Sequence, residues 1–377
     1  MISLFFIFGC QKPSNEAESY LDVLQTALVI GSDDRVEVNR SSSLTKMVGQ
    51  ITVRQAQTPG ALTTCTATLI GKNYLITAAH CVFHPDKGGV PESILFTPDL
   101  YRQKEDRQAL YFVERIFLPK EHVELRNKDV NFKDYMVASD LAVLKIAEQS
   151  VSKSAGEAYG YLEIAPTLQS QNVTIISYPG DKPKGTQWIQ EKCGFSPYQR
   201  FMSVDCDLII GASGGAIITE PQTNPRIRGV VSGETTTHNL SAILTDSIVA
   251  AIQRILRGEN QNLFEEHEIQ AQAYHRLMVH NKCDEVLYLG VRWQNLDGEE
   301  QVDGFHILQP GQTLMAAEMT SYEYAVYAMN PTRSFEIKGP VGLDIGGMPV
   351  GAIEQRVSGE WQDVNLRIDC RSGTSIH

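Results

Sequence analysis

From residue 49 to residue 245 the chain is a succession of short apolar runs, each cut off by glycine, proline, asparagine or aspartate: GQITV, TATLIG, YLITAA, QALYFVERIFL, LAVLKI, VTIISY, RGVVSG and SAILT. Alternating runs of this length are strands, because side chains on an extended chain point to opposite faces in turn. Strands divided only by turns are expected to form an all-β region, either two small barrels or a large sandwich. The region closes with DSIVAAIQRILRG, where apolar residues recur at helical spacing; Asp246 is placed to cap that helix and Gly258 to stop it.

The chain has 377 residues, too many for one ordinary core, so two globular units are expected. A polar break near 259–262 ends the first, and the charged stretch that follows reads as a helical connector over 259–282. From 283 to 377 strand-type alternation returns in VLYLGVRW, FHIL, EYAVYAM and VNLRI, which suggests a small β-sandwich. In that domain Trp293, Tyr322, Tyr324 and Tyr327 form either an exposed aromatic face or, more commonly for such a stripe, core.

With 42% hydrophobic and 21% charged residues the chain has the composition of a soluble folded protein. Its net charge of −12, with no basic run able to track a phosphate backbone, argues against nucleic acid as a partner. The opening MISLFFIFGC, residues 1–10, is too short to span a bilayer and reads as an export or lipoprotein-like signal, with Gly9 at a small-residue cleavage position and Cys10 as the site of lipidation. Residues 11–28 then read as a pro-segment or tether, so a membrane tether through Cys10 is one expectation.

Of the seven cysteines, Cys10 is the odd one. Cys65 with Cys81, Cys193 with Cys206, and Cys283 with Cys370 would make three pairs, although six cysteines allow about fifteen pairings. The count favours an oxidising compartment, hence a secreted, periplasmic or envelope protein.

Three segments carry chemistry. In TLIGKNYLITAAHC an apolar strand delivers His80 at its end, beside Cys81; in SDLAVLKI, Asp140 begins a buried run, where a carboxylate demands a partner; in IIGASGGAII small residues flank Ser213 and leave its hydroxyl unobstructed. A serine hydroxyl is a weak nucleophile until a base takes its proton, and that base needs a third group to fix its tautomer. His80, Asp140 and Ser213 fill those roles, with the N–H groups of Gly211 and Ser213 placed to hold an oxyanion. Taken singly, each residue has a bland reading as core, turn or loop; it is their order that carries weight. Gly211 to Gly215 also fits the nucleophile elbow of α/β-hydrolases, but there the acid and then the histidine follow the serine, which does not happen here. No cofactor is required, and no metal signature is present: His267-Glu268 lacks a second histidine four residues after the first.

These segments resemble the trypsin-like serine protease superfamily, most closely its bacterial glutamyl endopeptidase branch. The resemblance rests on VIGSDDRVEV at 29–38, CTATLIGKNYLITAAHCV at 65–82 and VDCDLIIGASGGAII at 204–218, and covers roughly 29–258. It implies a double β-barrel with the active site in the cleft between the barrels, and removal of a pro-segment just before Val29. Ala212 stands where animal trypsins carry the aspartate that pairs with the new amino terminus. Val231 stands where glutamyl endopeptidases place a histidine in the specificity pocket, which weakens any preference for acidic substrates. Asp207 falls where trypsin's pocket aspartate sits and hints at arginine or lysine, while Ser232 and Glu234 lie on the strand that binds substrate backbone. The expected activity is hydrolysis of protein or peptide substrates by a monomer. A protease-like adaptor whose C-terminal domain does the recognition is the competing expectation.

Overall fold

The computed structural model describes residues 29–376 except 56–61, 100–109, 130, 132–133, 148–153, 168–170, 199–200, 220, 222, 235–237, 260, 270–273, 296–299, 320–322, 358–360 and 372. The segments 1–10 and 11–28, and with them Cys10, lie outside the described residues, as does Tyr322.

The first barrel is built from β1 (Val48–Arg54), β2 (Leu62–Gly71), β3 (Tyr74–Thr77), β4 (Ser93–Pro98), β5 (Tyr111–Pro119) and β6 (Ala142–Ile146). They neighbour one another in the order β5-β4-β1-β2-β3-β6, and β5 pairs with β6 to close the ring of six. Ile51 and Val53 on β1, Leu69 on β2, Ile76 on β3, Phe96 on β4, Ile116 on β5 and Leu144 on β6 are all fully buried. The second barrel comprises β7 (Gln171–Ser177), β8 (Trp188–Tyr198), β9 (Phe201–Val204), β10 (Ala216–Thr219), β11 (Arg226–Glu234) and β12 (Asn239–Ile243). Their order is β8-β9-β12-β11-β10-β7, with β7 paired to β8. Closure removes exposed sheet edges, which open sheets must protect in other ways.

Among the described residues three α-helices lie on the barrels: α1 (Lys120–Lys128), α2 (Ala155–Tyr159) and α3 (Asp246–Leu256). Ser154 and Glu157 form a capping box on α2. The cap of α3 is Thr245, whose Oγ1 accepts from the Ile248 N–H at 3.3 Å, and not Asp246, which opens the first turn; Gly258 follows in a left-handed conformation at φ +70°. Val249, Ile252 and Ile255 of α3 bury into a continuous apolar cluster shared with the first barrel.

The expected helical connector over 259–282 has no helix among its described residues. Phe264–Glu268 is a strand that pairs antiparallel with β5, from Phe264 against Pro119 to Glu268 against Arg115. The next strand, β13 (Tyr274–Asn281), already belongs to the C-terminal domain, which therefore starts before residue 283. The reason is visible in the side chains: His275, Leu277, Val279 and Asn281 are all fully buried, a period of two that the charged residues around them obscure.

The C-terminal domain adds β14 (Leu287–Gln294), β15 (Glu300–Leu308), β16 (Thr313–Met319), β17 (Glu323–Met329), β18 (Val341–Ile345), β19 (Met348–Arg356), β20 (Trp361–Asp369) and β21 (Gly373–Ile376). A four-stranded sheet, β16-β13-β20-β21, faces a five-stranded one, β15-β14-β17-β19-β18. Leu277, Val279, Leu366 and Ile368 of the first sheet pack with Leu289, Val291 and Val326 of the second to form the core. Tyr324 and Tyr327 are buried and Trp293 packs on that core, so the described members of the aromatic stripe are core. No helix among the described residues is long and apolar enough to cross a membrane.

Candidate active site

His80 sits in a short 3-10 turn, Ala79–Cys81, that ends β3. The Cys65–Cys81 disulfide ties this turn back to β2 across a Cα separation of 6.3 Å. Asp140 precedes β6 and is fully buried, and it meets His80 twice: Oδ2 lies 2.7 Å from Nδ1, and Oδ1 accepts the His80 backbone N–H at 2.8 Å. With Nδ1–H given to a carboxylate, Nε2 is left as the basic nitrogen. Burial disfavours charge on both groups, yet each is outweighed by the other: the Asp140 carboxyl is held below its usual range by His80, and the imidazole is raised by Asp140.

Two further side chains complete the surroundings of Asp140. Ser232, on β11 of the second barrel, donates its hydroxyl to Oδ2, a side-chain role for which sequence had not marked it. His122, fully buried on α1, brings Nε2 to 4.0 Å from Oδ1, and burial pushes its pKa down to about 4. In KEHVELRNK the histidine stands among charged residues, and nothing in the run marks His122 for this position.

Ser213 is carried between β9 and β10, in a turn that Thr66 fixes against the first barrel. The Thr66 N–H donates to the Ser213 carbonyl at 2.8 Å, and its hydroxyl donates to the Gly211 carbonyl at 2.8 Å. The Thr66 carbonyl in turn accepts from the hydroxyl of Thr77, three residues before His80, at 2.8 Å. One buried threonine thus connects the strand leading to His80 with the turn holding Ser213, a role a threonine-rich strand gave no sign of. On the other side Gly214 donates to the Val231 carbonyl at 2.9 Å, one residue before Ser232. The turn needs glycine at two places. Gly211 has φ +95° and Gly214 φ +83°, and a Cβ on Gly214 would lie 2.1 Å from the Thr66 carbonyl oxygen.

The residues expected to choose the substrate fare differently. Asp207 is 2% exposed, and its carboxylate accepts from the backbone N–H groups of Ile30 at 2.8 Å and Asp34 at 2.9 Å and from the Gln190 amide at 3.3 Å. It is a structural anchor for the amino-terminal segment, and the expectation that it receives a substrate cation is corrected on that account: a buried, satisfied carboxylate does not face the cleft. Val231 is buried in the second barrel's core with Leu208, Ala212 and the Cys193–Cys206 disulfide. Glu234, at the end of β11, is partly buried, which raises its pKa, and its charge and that of His80 act on each other. The third disulfide, Cys283–Cys370, closes the C-terminal sandwich.

Among the described residues one cluster has metal-ligand geometry, Cys65, His80 and Cys81, but its two sulfurs are joined to each other and offer no thiolate.

Residues 65–223, which take in strands of both six-stranded barrels, the histidine–aspartate pair and the glycine-flanked serine turn, match the family described as the trypsin-like peptidase domain. The curated relatives are glutamyl endopeptidases: that of Bacillus licheniformis is 26% identical over 165 residues, covering 42% of this chain and 45% of the relative. That of Staphylococcus aureus is 24% identical over 198 residues, covering 51% of this chain and 54% of the relative. The chain therefore spans about half the length of the curated relatives it matches. Among solved structures, a Glu endopeptidase in complex with MPD is 20% identical with a TM-score of 0.48, covering 61% of this chain and 100% of its own. The protease Anisep from Arthrobacter nicotinovorans is 14% identical with a TM-score of 0.45, covering 59% and 100%.

Proposed function

We propose that this chain is a secreted serine endopeptidase in which Ser213 is the nucleophile, His80 the general base and then acid, and Asp140 the group that orients it. The observation that carries this reading is the His80 Nδ1–Asp140 Oδ2 contact of 2.7 Å, with the Ser213 turn hydrogen-bonded through Thr66 to the strands that deliver His80. In the reaction, Ser213 Oγ bonds to the carbonyl carbon of the scissile amide while its proton passes to His80 Nε2. The C–N bond then breaks as that proton goes to the leaving amine, leaving an ester on Ser213. Water repeats the sequence, giving its proton to His80 and releasing the acid. The N–H groups of Gly211 and Ser213 stabilise the oxyanion, each worth roughly 3–4 kcal/mol in comparable sites.

With Asp207 withdrawn from the cleft and Val231 in place of a histidine, we assign cleavage after neutral side chains, tested with peptides differing only at the cleaved residue. Processing before Val29 is part of the same reading, on the resemblance of VIGSDDRVEV to a mature amino terminus. Mass spectrometry of the mature amino terminus tests both this and lipidation at Cys10. Three disulfides support an extracytoplasmic location. The decisive experiment is labelling with a fluorophosphonate: the wild-type chain is expected to label at Ser213 and Ser213→Ala not at all. A folded wild-type protein that takes no label would favour the adaptor reading.

A further inference from the structure

The amino-terminal segment carries an ion cluster that the scheme above does not use. Arg35 is 7% exposed, a burial that a cation tolerates only when fully paired. Its Nε lies 2.8 Å from Asp33 Oδ1, its Nη1 3.0 Å from Asp181 Oδ1, and its Nη2 2.9 Å from Asp33 Oδ2 and 2.6 Å from Asp181 Oδ2. The guanidinium therefore forks onto two carboxylates, one on its own segment and one 146 residues away. Lys182 adds a 2.6 Å contact to Asp33 and rests 4.2 Å above the Trp188 ring.

What Asp181 belongs to gives the cluster its meaning. The preceding residue, Gly180, donates its N–H to the Ile210 carbonyl at 2.7 Å. Gly211 comes next, and it is packed so closely on the same loop that a Cβ there would lie 2.5 Å from the Tyr178 carbonyl oxygen and 3.1 Å from the Gly180 nitrogen. The loop 178–181 is thus the bed on which the Gly211–Ser213 turn lies, and Arg35 holds that bed from outside.

We propose that Arg35 is a positioning residue for the oxyanion turn: by clamping Asp181 it fixes the 178–181 loop against Ile210 and Gly211 and so keeps the N–H groups of Gly211 and Ser213 aimed at the reacting carbonyl. The inference rests on the serine-peptidase reading of the preceding section.

The test uses full-length wild type, Arg35→Met, Arg35→Lys, Asp181→Asn and Ser213→Ala, with folded fraction measured by circular dichroism. Each is assayed for kcat and KM on a peptide anilide and for inhibition by the peptide aldehyde of the same sequence, whose adduct places an oxyanion in the site. Arg35→Met and Asp181→Asn are expected to lower kcat by about tenfold to a hundredfold per folded molecule, with KM changed less than about threefold and aldehyde affinity weakened in step with kcat, since loss of alignment by an ångström costs rates of that order. Arg35→Lys, which keeps the charge but loses the fork, should recover part of the loss. A lower melting temperature with unchanged kcat and aldehyde affinity would mean that Arg35 only holds the fold, and would overturn the proposal; so would a rise in KM alone. If Arg35→Met does not fold, Asp181→Asn decides on the same readouts. A wild type as inert as Ser213→Ala would overturn the peptidase reading itself, which an active wild type with an equally active Arg35→Met would leave standing.

Discussion

The carboxylate of Asp207 accepts the backbone N–H of Ile30 at 2.8 Å, joining positions 177 residues apart. This bond, with its neighbour from Asp34, turns a position that suggested substrate recognition into the mooring of the amino-terminal segment.

Removing that mooring should cost stability and leave specificity untouched. Asp207→Ala strands two main-chain donors, for which about 2–3 kcal/mol is expected. For a domain of this size that is a fall in Tm of roughly 5–10 °C. Calorimetry gives the Tm and a peptide panel gives the preference. Loss of activity on arginyl or lysyl peptides alone would restore Asp207 to the specificity pocket.

The pH dependence of catalysis should report the electrostatics around His80. Asp140 and Glu234 both raise the imidazole above its ordinary value, and the base must be neutral to act, so kcat/KM should climb with pH through a midpoint above 6.5. Glu234→Gln removes a negative charge and should move this acid limb to lower pH. A limb that stays in place or moves upward would show that Glu234 does not reach His80 electrostatically.

His122 should shape stability in acid. Its folded pKa of about 4 lies below the ordinary 6.5, so the unfolded chain binds a proton first as pH falls. The sign follows: stability is fully present above 6.5 and is lost between 6.5 and about 4, by an upper figure of about 3 kcal/mol. The raised pKa of His80 acts in the opposite sense, adding stability below 6.5 that is lost as pH rises through its folded value. Denaturation measured from pH 7 to 4 should therefore fall less steeply in His122→Phe than in wild type, and parallel curves would refute the assignment.

The hydroxyl of Ser232 bonds Asp140 from the opposite barrel, so Ser232→Ala should lower kcat/KM by about tenfold to a hundredfold while leaving fluorophosphonate labelling detectable, as expected for loss of one charge-assisted bond. An unchanged kcat/KM would remove Ser232 from the machinery.

The C-terminal bridge offers a separate test of independence between the domains. Cys283 and Cys370 enclose a long stretch, 87 residues apart, so Cys283→Ser with Cys370→Ser should destabilise the sandwich by roughly 4–5 kcal/mol in the chain-entropy view. Activity on small peptides should be unchanged. A parallel loss of kcat would show that the sandwich supports the barrels.

Much of this could be read along the chain. Alternation with turn residues is a local property, and it foretold β1, β2, β5 and β11 among the barrel strands and β14, β17 and β20 in the sandwich, as helical spacing foretold α3; β4, β8 and β9 are strands that it did not single out. Where charge masked the alternation, as in Tyr274–Asn281, the expectation went to helix; pairing with β20 and burial of every second side chain decided otherwise. The strand Phe264–Glu268 likewise exists because β4 pairs only with Tyr111 and Phe112 of β5, which leaves Arg115–Pro119 to receive it on that side.

The site divides in the same way. The proposed trio of His80, Asp140 and Ser213 could be picked out because each stands in a short segment whose neighbours prepare it: a cysteine to staple, an apolar run to bury, glycines to turn. Thr66, His122, the fork of Arg35 and the bond from the Ser232 hydroxyl to Asp140 carry no such local mark, and Asp207 was marked for a role it does not fill. Those assignments depend on which backbone donors and side chains arrive from elsewhere in the chain, and a hydrogen bond between positions 177 or 92 residues apart is set by the closing of barrels, not by any neighbouring residue. The sequence by itself determined which residues have the chemistry; only the tertiary structure decided whom each of them serves, because partnership at 2.8 Å is a property of packing.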